Sequence, residues 1–190
     1  MTQAATDDPI IGPILKWWRE LHGDDKRRGD RAGRAELRRC AAPIDALMVP
    51  SAQRLLSAVN DRRHADDLLV VGIILASIEP GTARQISLAR RLGKKPDGGV
   101  ATDADRKCMS KLRFQALLEA MRSDDSVLRI RALRRAVALA GDDDFNVARL
   151  VRDILYFDDK TFRTWLYDYW QTFERGGNQP PADATVTENS

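Results

Sequence analysis

The sequence has 190 residues, of which 43% are hydrophobic and 31% are charged, and its formal net charge is +3. This composition is ordinary for a helical protein, and the length can bury the core of one domain or of two small ones. Cys40 and Cys108 have no second cysteine or histidine at a metal-ligand spacing, so the sequence predicts a reducing compartment, no zinc site and no cofactor. The N-terminus lacks a signal-peptide pattern, and we expect a cytoplasmic protein.

Charge is distributed unevenly along the chain. Basic residues are concentrated at 26–39, 84–95 and 106–135, whereas adjacent acidic residues occur at 66–67 and 142–144. A protein of small net charge whose charges are segregated has a basic face. Such a face suits a polyanionic partner.

Apolar residues at helical spacing predict helices in the first half of the chain at 10–21, 34–40, 47–59, 68–78 and 82–92. The run 68–78 is apolar on nearly all sides, so a helix there is expected to be buried on most sides. A buried strand fits this run equally well by periodicity alone. We predict a helix because no partner strand is evident.

The same spacing predicts which side chains of these helices point inward and which point outward. Large side chains predicted to face the core are Trp17, Trp18, Leu37, Leu47 and Met48. Arginines predicted to face outward are Arg38, Arg39, Arg84, Arg90 and Arg91. His64 is predicted to be a surface residue, because no nucleophile or carboxylate partner can be assigned to it.

Residues 94–101 form the clearest linker, because glycine, proline and lysine occur there without apolar periodicity. We place a domain boundary at this linker, between an N-terminal helical domain at 1–93 and a C-terminal helical bundle at 102–174. The last residues, 175–190, have the composition of a disordered tail.

The stretch 102–140 is the most informative part of the sequence, and it predicts two helices separated at 123–125. Thr102 and Asp105 have the capping-box spacing, so the first of these helices is expected to begin at Thr102. Residues predicted on its apolar side are Met109, Leu112, Ala116, Leu117 and Ala120. Basic residues predicted on a separate strip are Lys107, Lys111 and Arg122.

The second helix of this stretch carries a cluster of arginines opposite its apolar stripe. The apolar stripe consists of Val127, Ile130, Leu133 and Val137. Arg131, Arg134 and Arg135 lie on the far side, and no carboxylate stands one turn away to pair with them. Like charges at this spacing repel, so the cluster suggests that an anion binds there. A solvated helix face is the alternative.

The remaining segments predict structural roles. Asp142, Asp143 and Asp144 could suggest magnesium, but adjacent carboxylates on a turn point in different directions, and a helix cap at Asp143 or Asp144 is the simpler interpretation. A helix is predicted at 145–157. Asp158 and Asp159 are expected to cap a last helix, whose aromatic face belongs to the core or meets another protein.

Several stretches together resemble the CasB family, the small subunit of the type I-E CRISPR surveillance complex called Cascade. The stretches that carry the resemblance are the opening WW helix, GDRAGRAELRRC, ISLARRL, RFQALLEA, ALRRAV, VARLVRDILYFDD and WLYDYW. Each piece alone is unspecific, whereas their order and spacing over most of a chain of the right length are characteristic.

This resemblance implies an all-α protein of two small helical bundles, present as two copies within Cascade and without catalytic activity. It implies that basic side chains hold nucleic-acid backbone, chiefly the displaced non-target DNA strand of the R-loop, and that the protein supports the assembly around the guide RNA in antiviral defence. Expected partners are the large subunit, the backbone subunits, a second copy, the guide RNA and the target DNA.

Residues that match the basic positions of the family are Arg38, Arg39, Arg63, Lys111, Arg113, Arg134 and Arg135. The helical pattern adds Arg122 and Arg131 to this predicted nucleic-acid-binding set. Arg113 lies near the apolar side of its predicted helix, just ahead of Phe114.

Three alternative functions make different demands on the sequence. A sequence-specific helical regulator needs base-reading side chains at the start of a recognition helix, and here that end is acidic. An enzyme needs a catalytic constellation, and no such set occurs at a usable spacing. A scaffold without nucleic-acid contact is the third alternative, and the sequence does not exclude it.

Overall fold

The computed structural model describes residues 9–23, 28–80, 86–94, 107–141 and 145–172. Ten helices occur in this part of the chain, and the predicted all-α fold is confirmed. They are α1 (Ile11–His22), α2 (Arg31–Arg39), α3 (Pro43–Ala46), α4 (Pro50–Val59), α5 (Ala65–Leu75), α6 (Leu88–Leu92), α7 (Lys111–Arg122), α8 (Ser126–Ala140), α9 (Val147–Leu155) and α10 (Asp159–Trp170). None of these helices is long and apolar enough to cross a membrane.

Helix α5 is the centre of the fold. Every residue from Leu68 to Leu75 is buried, as the uniformly apolar run predicts. Because this helix has no solvent face along those residues, neighbours must cover it on several sides. It packs against α3 and α4 from the N-terminal half of the chain and against α8 and α9 from the C-terminal half.

Helix α1 covers the same core with its two tryptophans, and their predicted core position is confirmed. Trp17 and Trp18 are both buried. Trp18 Nε1 donates to the carbonyl oxygens of Leu75 and Ile78, at 3.1 and 2.9 Å, where α5 ends. The indole N–H is therefore satisfied although it lies in the core.

Helix α2 is fixed at its start by a close approach to α4. Asp30 is the N-cap, and its carboxylate accepts from the Gly33 amide at 2.9 Å and from Ser51 Oγ at 2.6 Å. A Cβ on Gly33 would lie 1.8 Å from Ser51 Oγ, so any larger residue here would have to displace the side chains of Ser51 and Asp30. The contact points Leu37 inward and leaves Arg38 and Arg39 exposed, as the sequence predicts.

Several local predictions are wrong. Leu47 and Met48 are exposed rather than buried, because α3 ends at Ala46 and the chain turns before α4. Arg91 is buried, and its Nη1 donates to Cys108 Sγ at 2.7 Å. Arg84 lies outside the described residues.

Helix starts also differ from the predictions. Residues 107–110 are irregular, so the helix expected from Thr102 begins at Lys111; Thr102 and Asp105 themselves lie outside the described residues. Asn146, rather than an aspartate at 143 or 144, caps α9 by accepting from the Arg149 amide. Asp158 caps α10, as predicted, through the Thr161 amide.

The hydrophobic core is one continuous cluster to which both predicted domains contribute. Residues 95–101 of the linker and 173–190 of the predicted tail lie outside the described residues. The two-bundle division at residues 94–101 therefore stays a prediction.

Helix α10 supplies the largest buried side chains of the C-terminal half. Trp165 and Tyr169 are fully buried, and Phe114 of α7 stacks on Tyr169 with 4.0 Å between ring centroids. Trp165 Nε1 donates to Asp153 Oδ2 at 2.7 Å. Burial raises the pKa of Asp153 to about 6, although this hydrogen bond and the charge of Arg149 partly offset the effect of burial.

The raised pKa of Asp153 makes stability pH-dependent in a defined direction. Between pH 4 and pH 6, approximately, the folded carboxyl binds a proton that the unfolded carboxyl has lost, so the free energy of unfolding falls as pH rises through this window. Asp153→Asn keeps an acceptor for Trp165 and removes the charge. We expect the variant to gain about 1–3 kcal/mol at pH 7.5, at roughly 1.4 kcal/mol per pKa unit.

Urea denaturation at pH 4, 6 and 7.5 checks this expectation. Asp153→Ala is the control, because it removes the acceptor and should destabilise the protein by leaving a buried indole N–H unpaired. If wild type and Asp153→Asn show the same pH dependence, the proposed protonation of Asp153 is refuted.

Candidate nucleic-acid interface

Helix α8 carries the predicted arginine cluster, and its position is fixed by the core. Ile130, Leu133 and Val137 are buried, as predicted, whereas Val127 is half-buried. Arg129 Nη2 lies 2.9 Å from Asp67 Oδ1, so an ion pair joins α8 to the start of α5. These contacts set the rotation of α8 about its axis and hence the directions of its other arginines.

Arg134 points to α2 instead of joining Arg131 and Arg135. Its Nη2 donates to the carbonyl oxygens of Arg38 and Cys40, at 2.7 and 2.9 Å, and more weakly to that of Leu37 at 3.3 Å. The last carbonyls of a helix have no partner within the helix, so a guanidinium there satisfies them. Arg134 therefore holds α8 against the C-terminal end of α2.

Arg131 and Arg135 meet Arg113 of α7 around a cavity of about 230 Å³ between α7 and α8, which we call the arginine groove. All three arginines are exposed, although the helical pattern placed Arg113 near the apolar side. The other residues that line the groove are Met109, Ala116, Leu117, Leu128 and Ala132. No carboxylate occurs among its described lining residues, so the groove concentrates positive charge over an apolar floor.

The apolar side of α7 differs from the prediction, and this difference opens the groove. Leu112 is 78% exposed and Ala116 is also exposed, whereas Phe114, Leu117, Leu118 and Met121 are buried. The stacking of Phe114 on the rings of α10 turns α7 so that Arg113 faces α8. Periodicity alone could not give this rotation, because two apolar stripes are available on the helix.

The structure places the other predicted basic residues away from the groove. Arg38 lines a separate cavity of about 480 Å³ with Arg134, Ser77 and Gly141. Arg39 and Arg63 are exposed. Arg122 Nη2 lies 3.3 Å from Asp159 Oδ1, and its guanidinium stacks over Phe162 at 5.1 Å from the centroid.

Lys111 lies at the other end of α7, with its Nζ 5.9 Å from the centroid of the Trp170 ring. Lys107, which was predicted on the same strip, lies closer, at 3.9 Å from this centroid. The sequence places Trp170 on the aromatic face of the last helix, in the core or against another protein. Its approach to the lysines is not predicted, because they lie in a different part of the chain and the contact leaves no mark on local spacing.

His64 has a carboxylate partner that sequence reasoning did not find. Its Nδ1 lies 2.7 Å from Asp61 Oδ2, and its ring packs edge-on against Tyr156. The hydrogen bond with His64 is the main reason that the pKa of Asp61 is lowered. This contact gives His64 a carboxylate partner but no nucleophile. We therefore interpret the pair of His64 and Asp61 as a structural contact at the start of α5.

No group of three or more histidine, cysteine, aspartate or glutamate side chains is placed to hold a metal ion in the described part of the chain. The alternative magnesium site at 142–144 lies outside it. Cys40 and Cys108 are free cysteines.

The family model of CRISPR-associated protein Cse2 matches residues 33–170 of the chain, from α2 to the end of α10. A chain in the crystal structure of E. coli Cascade bound to a PAM-containing double-stranded DNA target has the same fold, with a TM-score of 0.56 at 19% sequence identity. This similarity covers 86% of the present chain and 95% of the E. coli chain. A search of curated proteins finds no match.

The separate position of Arg134 gives a prediction about stability. Arg134→Ala removes the donor to the end of α2, and we expect it to lower the free energy of unfolding by about 1–3 kcal/mol, because three carbonyls lose a charged partner. Arg135→Ala removes an equal charge from the adjacent exposed position and should change it by less than about 0.5 kcal/mol. Urea denaturation of the two variants measures the difference. Equal losses would contradict a structural role specific to Arg134.

Proposed function

Because the chain belongs to the Cse2 (CasB) family of CRISPR-associated proteins, we propose that it is a non-catalytic small subunit of a type I-E Cascade complex in antiviral defence. In this proposal the arginine groove holds backbone phosphates of the displaced non-target DNA strand and thereby stabilises the R-loop. Its partners are the large subunit, the backbone subunits, a second copy of the chain, the guide RNA and the target DNA.

The observation that carries the proposal is the arginine groove itself. Arg113, Arg131 and Arg135 surround one cavity, and no described lining residue neutralises them. A planar guanidinium can hold a phosphate through two parallel hydrogen bonds, so three of them along a groove suit a phosphodiester backbone. Backbone binding needs spaced positive charge rather than a catalytic constellation.

A modest contact of this kind is sufficient for the proposed role. The RNA–DNA heteroduplex formed in an R-loop is about as stable as the DNA duplex that it replaces, so strand exchange is nearly balanced. Holding the displaced strand lowers the chance that it re-anneals. A few phosphate contacts can therefore shift the exchange toward the open R-loop.

The sequence-specific regulator is less well supported by the geometry. In such a protein the start of a recognition helix reads base edges. Here α8 begins at an N-cap, Asp125, whose carboxylate accepts from the amides of Val127 and Leu128. That end of the helix presents negative charge, which disfavours approach to DNA.

The test of the proposed function is binding of target DNA by the reconstituted complex at several salt concentrations. We expect Arg113→Ala/Arg131→Ala/Arg135→Ala to assemble normally, to shorten the lifetime of the R-loop and to weaken binding about tenfold or more. The slope of log affinity against log salt should fall by roughly 2, since each phosphate contact to a single strand contributes about 0.7.

Arg62→Ala/Lys160→Ala/Arg163→Ala is the matched control, because it removes three exposed charges away from the groove. Equal effects of the two triple variants would mean that total charge matters rather than the groove. An unchanged R-loop lifetime and salt slope in the groove variant would favour a scaffold without direct contact to nucleic acid.

A further inference from the structure

Trp170 is the exposed member of the four tryptophans in the chain. Trp17, Trp18 and Trp165 have 4%, 7% and 0% of their surface exposed, whereas Trp170 at the end of α10 has 40%. Burying an indole normally contributes to stability, so a tryptophan that remains open at a helix end is available to a ligand.

Two lysines lie beside this ring. Lys107 Nζ is 3.9 Å from the centroid of Trp170 and 4.8 Å from that of Tyr169, and Lys111 Nζ is 5.9 Å from that of Trp170. Cation–π attraction holds the ammonium groups near the rings. The result is an indole with 40% of its surface exposed and with the Lys107 ammonium over its ring, and the combination of an open aromatic surface with positive charge suits single-stranded nucleic acid.

The backbone on either side of this contact is anchored by hydrogen bonds. Tyr169, adjacent to Trp170, donates from its hydroxyl to the Met109 carbonyl at 2.8 Å. The irregular segment that contains Lys107 is anchored by the Cys108 amide, which donates to the Lys94 carbonyl at 2.8 Å. Because these bonds fix the segment before α7 against α10 and against the residues that follow α6, binding there needs little ordering of the protein.

We propose that an unpaired base of single-stranded DNA stacks on the exposed part of the Trp170 indole, with Lys107 and Lys111 at the flanking phosphates. This inference rests on the proposed function, and it adds a contact to the bases of the strand that the arginine groove holds by its backbone. Stacking of this kind is sequence-tolerant, since every base has a π-face. It also requires an unpaired base, so it selects a displaced strand over a duplex.

The first test compares two single strands that differ only in their bases. Oligothymidine and a strand of equal length with abasic sugars are titrated into the full chain at low salt, and tryptophan emission and anisotropy of the labelled strand are recorded. We expect oligothymidine to quench the emission and to bind about tenfold more tightly than the abasic strand, as stacking of one base allows.

Variants assign the preference to the ring. Trp170→Ala should abolish the preference for oligothymidine, and Trp170→Phe should restore part of it, because phenylalanine keeps an aromatic face. Tyr167→Ala is the matched control, since Tyr167 is an exposed ring of the same helix, with 47% of its surface open, and it should keep the preference. Lys107→Ala/Lys111→Ala should weaken binding of both strands alike.

Three results overturn the proposal. The first is that the wild-type chain binds oligothymidine and the abasic strand equally tightly. The second is that Trp170→Ala lowers the preference for oligothymidine no more than Tyr167→Ala does. The third is that the wild-type chain binds oligouridine more tightly than oligothymidine, which would assign the ring to RNA. Loss of the chain from the reconstituted complex in Trp170→Ala, with the preference for oligothymidine intact in the free chain, would assign the ring to a protein contact and overturn it as well.

The groove variant separates this inference from the proposed function. If the triple arginine variant leaves the R-loop unchanged while the preference for oligothymidine persists, the proposed role of the groove fails and the stacking contact stands. If the preference is absent while the groove variant shortens the R-loop lifetime, the stacking contact fails and the groove stands.

Discussion

Burial of α5 is the constraint on which the arrangement of the other helices depends. Its residues from Leu68 to Leu75 have no solvent face, so helices from both halves of the chain must pack around it. At roughly 25 cal/mol per Å² of apolar surface, covering this one helix contributes more than a typical polar contact, which contributes about 1 kcal/mol. The packing brings α8 beside α5, and the charged side of α8 then faces outward or toward neighbouring helix ends.

The arginines of the C-terminal half divide into two groups by the partners that burial provides. A charge that leaves water needs a partner, and Arg129 and Arg149 have Asp67 and Asp168 within 2.9 and 2.7 Å. Arg134 uses the carbonyls that end α2 in the same way. Arg131 and Arg135 have no such partner along α8, and with Arg113 they border the groove. Within a few turns of α8, some arginines thus join the helix to its neighbours and others present positive charge to solvent.

Helix α7 connects the two proposed contacts with nucleic acid. Residues two positions apart on a helix lie about 200° apart, so Arg113 and Lys111 point to different sides of α7. One side meets α8 at the groove, the other meets Trp170, and Phe114 between them packs on the rings of α10. The cations of the predicted strip, Lys107, Lys111 and Arg122, thus lie against aromatic rings of α10. The spacing of those aromatic residues in the sequence indicates a core position and gives no sign of these contacts.

At α5 periodicity alone left a helix or a buried strand open, and the lack of an evident partner strand favoured the helix. The sequence by itself determined the inward tryptophans of α1 and the outward Arg38 and Arg39, because helical periodicity is a local property. It also carried the family resemblance, which the family model confirms over residues 33–170. It did not determine helix starts such as Lys111, where backbone hydrogen bonds of Cys108 and Met109 to residues 94 and 92 hold the segment just before α7 in an irregular conformation. Only the tertiary structure decided that Arg134 serves α2 while Arg131 and Arg135 meet Arg113. The carbonyl of Leu37 lies 97 residues from Arg134 along the chain, and no local pattern records a partner at that distance.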